Sequence, residues 1–467
     1  MTADADLLIV GAGPAGLAAA GTASDCGLSV LLLDEQPGPG GQIYRAISRP
    51  EVRRRDFLGA DYAAGAELAA LVHRPNVTYR AGASVWRVET GGRVAWSEAG
   101  RAQTARGRRL LLATGALERP VPIPGWTLPG VMGAGAAQIL LKSAGLVPRD
   151  AVLAGSGPLL YLLAVQLLDA GAPPRMLVET QGPSDLLAAL PALPAALRGS
   201  GELFKGLGLL RRLRQAGVVR VTGASALAIE GDESARGLRF VADGREQRVE
   251  SASVFLHQGV IPNTQLTRAL RLEHRWQAAQ QSWRPVRDVW GESSAAEVFL
   301  AGDGGGIAGA RAAALQGRLA ALQVACALGR HDTVSRDRAA APLRRALARE
   351  QALRPFLDRL YAPPADILRP ADDTVVCRCE MVRAGEIRDQ ARLGCLGLNQ
   401  LKAFSRCGMG PCQGRYCGTT VAAVLAEARG VAPDAVGYYR LRMPVKPVPL
   451  AELASLAPDE LPEPHQP

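Results

Sequence analysis

The chain has 467 residues, 48% of them hydrophobic, with eight cysteines and a formal net charge of +10. That length supports two or three separate cores, and no apolar run is long enough to cross a bilayer. The positive charge is spread as arginine singlets and short pieces without interleaved aromatics, which argues against a nucleic-acid surface and leaves an acidic protein partner open.

The N-terminus, MTADADLLIV, passes into a strand without a basic leader. The expected location is therefore the cytoplasm, compatible with a peripheral position at the inner membrane face. LLIVGAGPAGLAAAGTASDCGLSVLLLDE then reads as apolar strand, glycine turn, alanine-rich helix and second apolar strand, a βαβ unit. Its turn, Gly11, Ala12, Gly13, Pro14, Ala15, Gly16, lets the backbone approach a pyrophosphate resting on the helix N-terminus. Asp34, with Glu35 as the alternative, ends the second strand where an acid accepts hydrogen bonds from an adenosine ribose.

Gly40, Gly41 and Gln42 follow at a point where the backbone can pass close to a cofactor. RLLLAT ends in a turn of small residues, Ala113, Thr114 and Gly115. A second βαβ unit is expected from AVLAGSGPLLYLLAVQLLDAGAPPRMLVETQ, with Gly155 and Gly157 at the turn and Glu179 closing the next strand. Leu160 holds its third glycine position, which argues against NAD(P) there. Residues 182–215 read as an insertion closing over this unit, with a partner-docking surface as the alternative. VFLAGDGGGIAGARAAALQGRLAA gives a strand, then Gly302 and Asp303, then a long helix: an aspartate to hold ribityl hydroxyls and a positive helix end to face a flavin.

These pieces, in this order, resemble the two-dinucleotide-domain flavoprotein reductases over residues 5–330, an α/β fold with two Rossmann-like domains, glutathione-reductase-like. No C-x-x-C occurs in that stretch. Cys26 and Cys326 are solitary and read as small buried hydrophobes, which argues against disulfide reduction.

SRDRAAAPLRRALARE and YAPPADILRP read as a charged helix and a proline-rich linker. The expected partition is an FAD-binding domain over 1–145 and 266–334, an NAD(P)-binding-like domain over 146–265, a linker over 335–370, a small helical cysteine domain over 371–430 and a tail over 431–467, its last ten residues loosely ordered.

In the cysteine domain Cys377 and Cys379 form C-x-C, and Cys412 and Cys417 a second pair after a gap of 32 residues. Four thiolates in two local pairs suit a [2Fe–2S] cluster, with zinc as the competing occupant and Cys407 as a competing ligand. Cys395 reads as packing. Seven Arg or Lys against three Asp or Glu between 377 and 417 would ease reduction of a cluster, Arg378, Lys402, Arg406 and Arg415 lying nearest in sequence.

From GAGPAG and GPGGQIY through ATGALERP, AGSGPLL and AGDGGGIAGA to VCRCE and CGMGPCQGRYC, the chain resembles the large subunit of opine oxidases, hydrogen cyanide synthase and D-hydroxyproline or proline dehydrogenases. Its end resembles the bacterioferritin-associated-ferredoxin type of [2Fe–2S] domain. The resemblance implies a hetero-oligomer with a smaller FAD-dependent amine-oxidising subunit, with a small ferredoxin-like subunit in some members, an additional FMN between subunits and an acceptor such as a quinone. Two rivals stand beside it: a self-contained NAD(P)H-dependent reductase and a non-catalytic iron–sulfur interaction module. The five histidines, at 73, 257, 274, 331 and 465, form no pair with ligand spacing, so no catalytic residue is assigned. A cyclic or secondary amine is the expected substrate class.

Overall fold

A computed structural model describes residues 4–53 and 56–456. Two α/β sheets organise it. The first has seven strands; running outward from Ala5–Val10, it carries Val30–Asp34 and Val77–Ala81 on one side and Arg101–Leu112 on the other. These pair in parallel, as does Val298–Leu300 against Arg101–Leu112, while Arg93–Glu98 and Ser84–Val88 extend the sheet antiparallel. Unbroken apolar runs such as LLIV belong on strands buried on both faces: helices cover one, and Val85, Val94, Trp96, Leu266 and Val445 cover the other. The helices Pro14–Asp25 and Ala310–Ala327 pack together on one face, and a Cβ at Gly317 would lie 2.0 Å from the Ala15 carbonyl oxygen. Small residues let these two backbones meet, so the loops at both helix N-termini are brought to the same place.

The second sheet has five parallel strands in the order Val219–Val221, Met176–Glu179, Val152–Ser156, Val254–Gln258, Val131–Gly133. Its edge strand begins at Val131, so this unit takes up the chain some way before residue 146, the expected boundary. Val131 and Met132 pair with Val254 and Phe255, and apolar side chains from both strands fill cores on the two faces. Leu160 is fully buried with Leu153, Leu163 and Phe255, so the turn is built around it. A three-stranded antiparallel sheet over 225–250 packs beneath.

Residues 335–370, expected as a linker, are mostly helical and packed. Thr333–Ala352 starts on an Asp332 cap, whose side chain accepts the Ser335 N–H at 2.7 Å, and Arg354–Leu360 follows. Leu353 and Phe356 bury against Ala189, Ala192 and Ala196 of the 182–215 insertion, which is itself helical over Pro183–Ala189, Leu193–Ala196 and Ser200–Gln215. The apolar alanine face of the insertion explains this: it needs a cover, and Leu353 and Phe356 supply it.

The cysteine domain has its own core, in which Ile387, Leu398, Leu401, Val421 and Leu425 surround Cys377, Cys407 and Cys417. The expected tail is part of the fold as far as the described residues reach. Tyr439 and Leu441 enter that core, the Val445 N–H donates to the Trp86 carbonyl at 2.9 Å, and Leu456 buries against Trp86. The last ten residues lie outside the described residues.

Candidate functional site

Four loops meet at the C-terminal edge of the first sheet. Gly11 has φ +108°, and a Cβ there would stand 2.4 Å from the Ala113 carbonyl oxygen. Gly41 has φ +62°, and its Cβ would meet the Gly13 Cα at 2.9 Å. A Cβ on Gly302 would meet Ala15 at 2.9 Å, and one on Gly304 would meet Thr114 Oγ1 at 3.0 Å. The turn at 11–16, the loop at 40–42, the strand end at 113–115 and the loop at 302–304 therefore approach so closely that a Cβ at any of these four glycines would collide with a neighbour. Such a cradle fits a dinucleotide, whose pyrophosphate needs free N–H groups at close range.

Asp34 is buried, and its carboxylate accepts the Ala12 N–H at 2.5 Å and the Gln36 N–H at 2.7 Å. Burial raises its pKa while those two N–H groups oppose the rise. The acid chosen for the ribose is thus also the residue that locks the glycine turn. Glu35 points outward to Lys446 and Gln36. Gln42 is exposed, its side-chain oxygen accepting from Arg45. Asp303 Oδ1 accepts the Ala308 and Gly309 N–H groups at 2.8 and 3.0 Å, fixing the loop that leads into Ala310–Ala327.

The second nucleotide turn is shaped alike and filled differently. Gly155 has φ +129°, and its Cβ would lie 1.8 Å from the His257 carbonyl oxygen. Glu179, fully buried, accepts Arg220 Nε at 3.0 Å, Arg220 Nη2 at 2.6 Å and Gln181 Nε2 at 2.7 Å. Tyr161 takes a further hydrogen bond from Gln181, and Tyr361 meets Tyr161 edge to face at 6.4 Å. The acid that would receive a ribose is occupied by its own chain.

Among the described residues the sulfurs of Cys377, Cys407 and Cys417 lie within 4.8 Å of one another, all buried. Cys377 is held down to about 2 by the Cys407 and Cys417 thiols and by the Gly408 and Glu380 N–H groups, while Cys407 is pushed up to about 12, chiefly by Cys377. Cys379, exposed, pairs with the Cys412 thiol, and a Cβ on Gly410 would press on Cys379 at 2.3 Å. Of the four expected ligands, Cys377 and Cys417 thus share the inner group with Cys407, while Cys379 and Cys412 form a separate pair. Convergent thiols with backbone N–H groups aimed at sulfur suit an iron–sulfur or zinc centre. Tyr439, buried, donates its hydroxyl to Cys407 Sγ at 3.5 Å. Cys395 packs into the core nearby.

The strand end at 113–115 and the cysteine loop are joined. Thr114 Oγ1 donates to the Asn263 carbonyl at 3.1 Å and the Asn263 N–H to the Gly115 carbonyl at 3.0 Å. Gln265 Nε2 then donates to the Cys412 carbonyl at 3.0 Å. Sequence reasoning missed Asn263 and Gln265 because their partners lie 147 to 149 positions away. No helix among the described residues is long and apolar enough to cross a membrane.

Residues 5–327 match the pyridine nucleotide-disulphide oxidoreductase family, and residues 373–456 the sarcosine oxidase A3 domain. The A subunit of opine oxidase from Rhizobium meliloti is 47% identical over 463 residues, covering 97% of this chain and 87% of that protein. Hydrogen cyanide synthase subunit HcnB of Pseudomonas aeruginosa is 34% identical over 474 residues, covering 96% and 98%. Of solved structures, the L-proline dehydrogenase of P. horikoshii superposes with a TM-score of 0.69 at 19% identity, covering 96% of this chain and 79% of that one, a likeness of fold.

Proposed function

The chain belongs to the pyridine nucleotide-disulphide oxidoreductase family, grouping with the A subunits of opine oxidases, and from that premise we propose that it is the FAD- and [2Fe–2S]-containing electron-transfer subunit of a heteromeric amine or imino-acid dehydrogenase. A smaller flavoprotein subunit removes the electrons from a carbon–nitrogen bond, and an acceptor such as a quinone receives them. Bound flavin takes electrons in pairs and a [2Fe–2S] centre passes them singly.

One observation carries this reading: the hydrogen-bonded link from Thr114 through Asn263 and Gln265 to Cys412, which ties the flavin cradle to the thiols within one chain. The rest follows from what the side chains do. Gly11 and Gly13 open the backbone to the pyrophosphate, and Gly16 lets the helix close onto the Gly11 carbonyl. Asp34 holds that turn, Asp303 holds the loop at the N-terminus of Ala310–Ala327, and four of the five thiols of Cys377, Cys379, Cys407, Cys412 and Cys417 supply the metal ligands. Glu179, committed to Arg220, supports electron entry from a partner over entry from NAD(P)H. FMN, where the assembly carries it, lies between the subunits.

The test is an anaerobic titration of the purified chain with NADH and NADPH, following flavin absorbance, alongside iron analysis. Flavin and iron in stoichiometric amounts, with bleaching by dithionite and none by either nicotinamide, is the expected result. Prompt bleaching by NADH would overturn the partner-fed reading, and a chain without iron would overturn the cluster.

A further inference from the structure

The helix Gln265–Ala269 presents two residues to the cysteine domain. Gln265 grips the Cys412 and Gln413 carbonyls. Arg268, three positions on and so on the same face, lies largely buried between two rings, its guanidinium carbon 3.9 Å from the Tyr438 ring centre and 5.1 Å from that of Trp283. Its Nε and Nη2 have no hydrogen-bond partner, and among the described residues no carboxylate pairs with it. Nearby His274, pushed down to about 3 by burial and by Arg268, offers no negative charge.

A buried cation without an anion is costly, and folds retain one where an anion compensates it. Tyr438 shows where that anion sits. Its hydroxyl donates to the Gly414 carbonyl at 3.3 Å, and a Cβ on Gly418 would lie 2.2 Å from the same hydroxyl oxygen. One ring therefore separates Arg268 from the loop carrying Cys412 and Cys417. Of the cations nearest those thiols in sequence, Arg406 is paired with Glu380 at 3.0 Å, while Arg415 donates to the Val445 carbonyl at 3.5 Å and stands beside Arg268 as a second cation of this region.

We infer that Arg268 is the counter-cation of the thiolate centre, offsetting its negative charge across the Tyr438 ring and raising its reduction potential. This rests on the cluster reading above. Adding one electron to a four-thiolate [2Fe–2S] unit takes its charge from −2 to −3, so a fixed cation close by favours the reduced form. A guanidinium suits the position because it is weakly hydrated and stacks on aromatic faces.

The experiment is a redox titration of the iron-loaded full chain monitored by electron paramagnetic resonance. Arg268→Met is expected to disfavour cluster reduction about tenfold, a fall in midpoint of about 59 mV for one electron, with iron and flavin content unchanged. Arg268→Lys is expected to keep most of the wild-type value. An unshifted midpoint in Arg268→Met with full iron would overturn the inference. Should that variant lose its iron, Arg268→Lys is set against Arg268→Gln: a lower midpoint for Gln supports the counter-cation, and equal midpoints overturn it. A wild-type chain without any iron–sulfur signal would instead defeat the cluster reading itself, a different and separable result.

Discussion

The two Rossmann turns are written almost alike, Gly11-Ala-Gly13-Pro and Gly155-Ser-Gly157-Pro, and the chain uses them differently. In the first, the glycines hold the backbone against Ala113 and Gly41, and glycines of the neighbouring loops close around them. In the second, Glu179 is drawn inward by Arg220 and Gln181, while Tyr161 and Tyr361 stand beside it. A glycine turn shapes a nucleotide site; what surrounds the acid at the end of the next strand decides whether the site is free to take a ligand.

Four changes would break or sharpen that contrast. Gly11→Ala places a Cβ against the Ala113 carbonyl at a positive φ, and should cut flavin per purified chain at least about tenfold, read from the ratio of flavin to protein absorbance. Retained flavin would remove the first site's claim to its ligand. Gly155→Ala collides with the His257 carbonyl and should cost about 4 kcal/mol in denaturant unfolding, with the flavin ratio in the surviving folded protein unchanged.

Glu179→Gln strips a buried carboxylate from Arg220, itself only partly buried, and should cost about 2 kcal/mol without creating nicotinamide binding. Nicotinamide binding gained by this variant, measured by calorimetry, would show that the captured acid alone kept the site closed.

Per pH unit, the smallest effect falls on Lys142, which bridges the units by donating to the Ile43 carbonyl and Gln138, whose amide reaches Gln166. Burial lowers its pKa from 10.5 to about 7. The unfolded chain then binds more protons between those values, so folding stability should rise with pH from about 7 toward 10.5 and lose that contribution as pH falls through 7. Lys142→Met should flatten the rise by up to about 1.4 kcal/mol per pH unit, seen in denaturant midpoints across that range.

The glycine turns, the strand ends at Asp34 and Thr114 and the Gly302 and Asp303 pair were legible because each is a local backbone demand that few residues satisfy. What was illegible depends on partners far along the chain. Spacing marks Cys377, Cys379, Cys412 and Cys417 as two pairs, yet the fold gathers Cys407 with Cys377 and Cys417, because Tyr439 and the turn at Gly408 carry it inward. The capture of Glu179 by Arg220 spans 41 positions, and the Arg268 stack on Tyr438 spans more. Neither leaves a pattern in a window short enough to read. Prolines between 335 and 370 signal a linker in isolation; the alanine face of the insertion, which needs a cover, turns the segment into packed helix.

The segment that follows the cysteine core runs back to the first sheet, where Val445 bonds Trp86 and Lys446 reaches Glu35. Measured along the chain, the Lys446–Glu35 contact closes one of the longest loops of the fold, 411 positions. A loop of that length adds little to the closure cost of a shorter one, because the entropy grows only with the logarithm of length. The strap is thus an inexpensive tether, and it fixes the cysteine core to the same sheet that carries the first glycine turn.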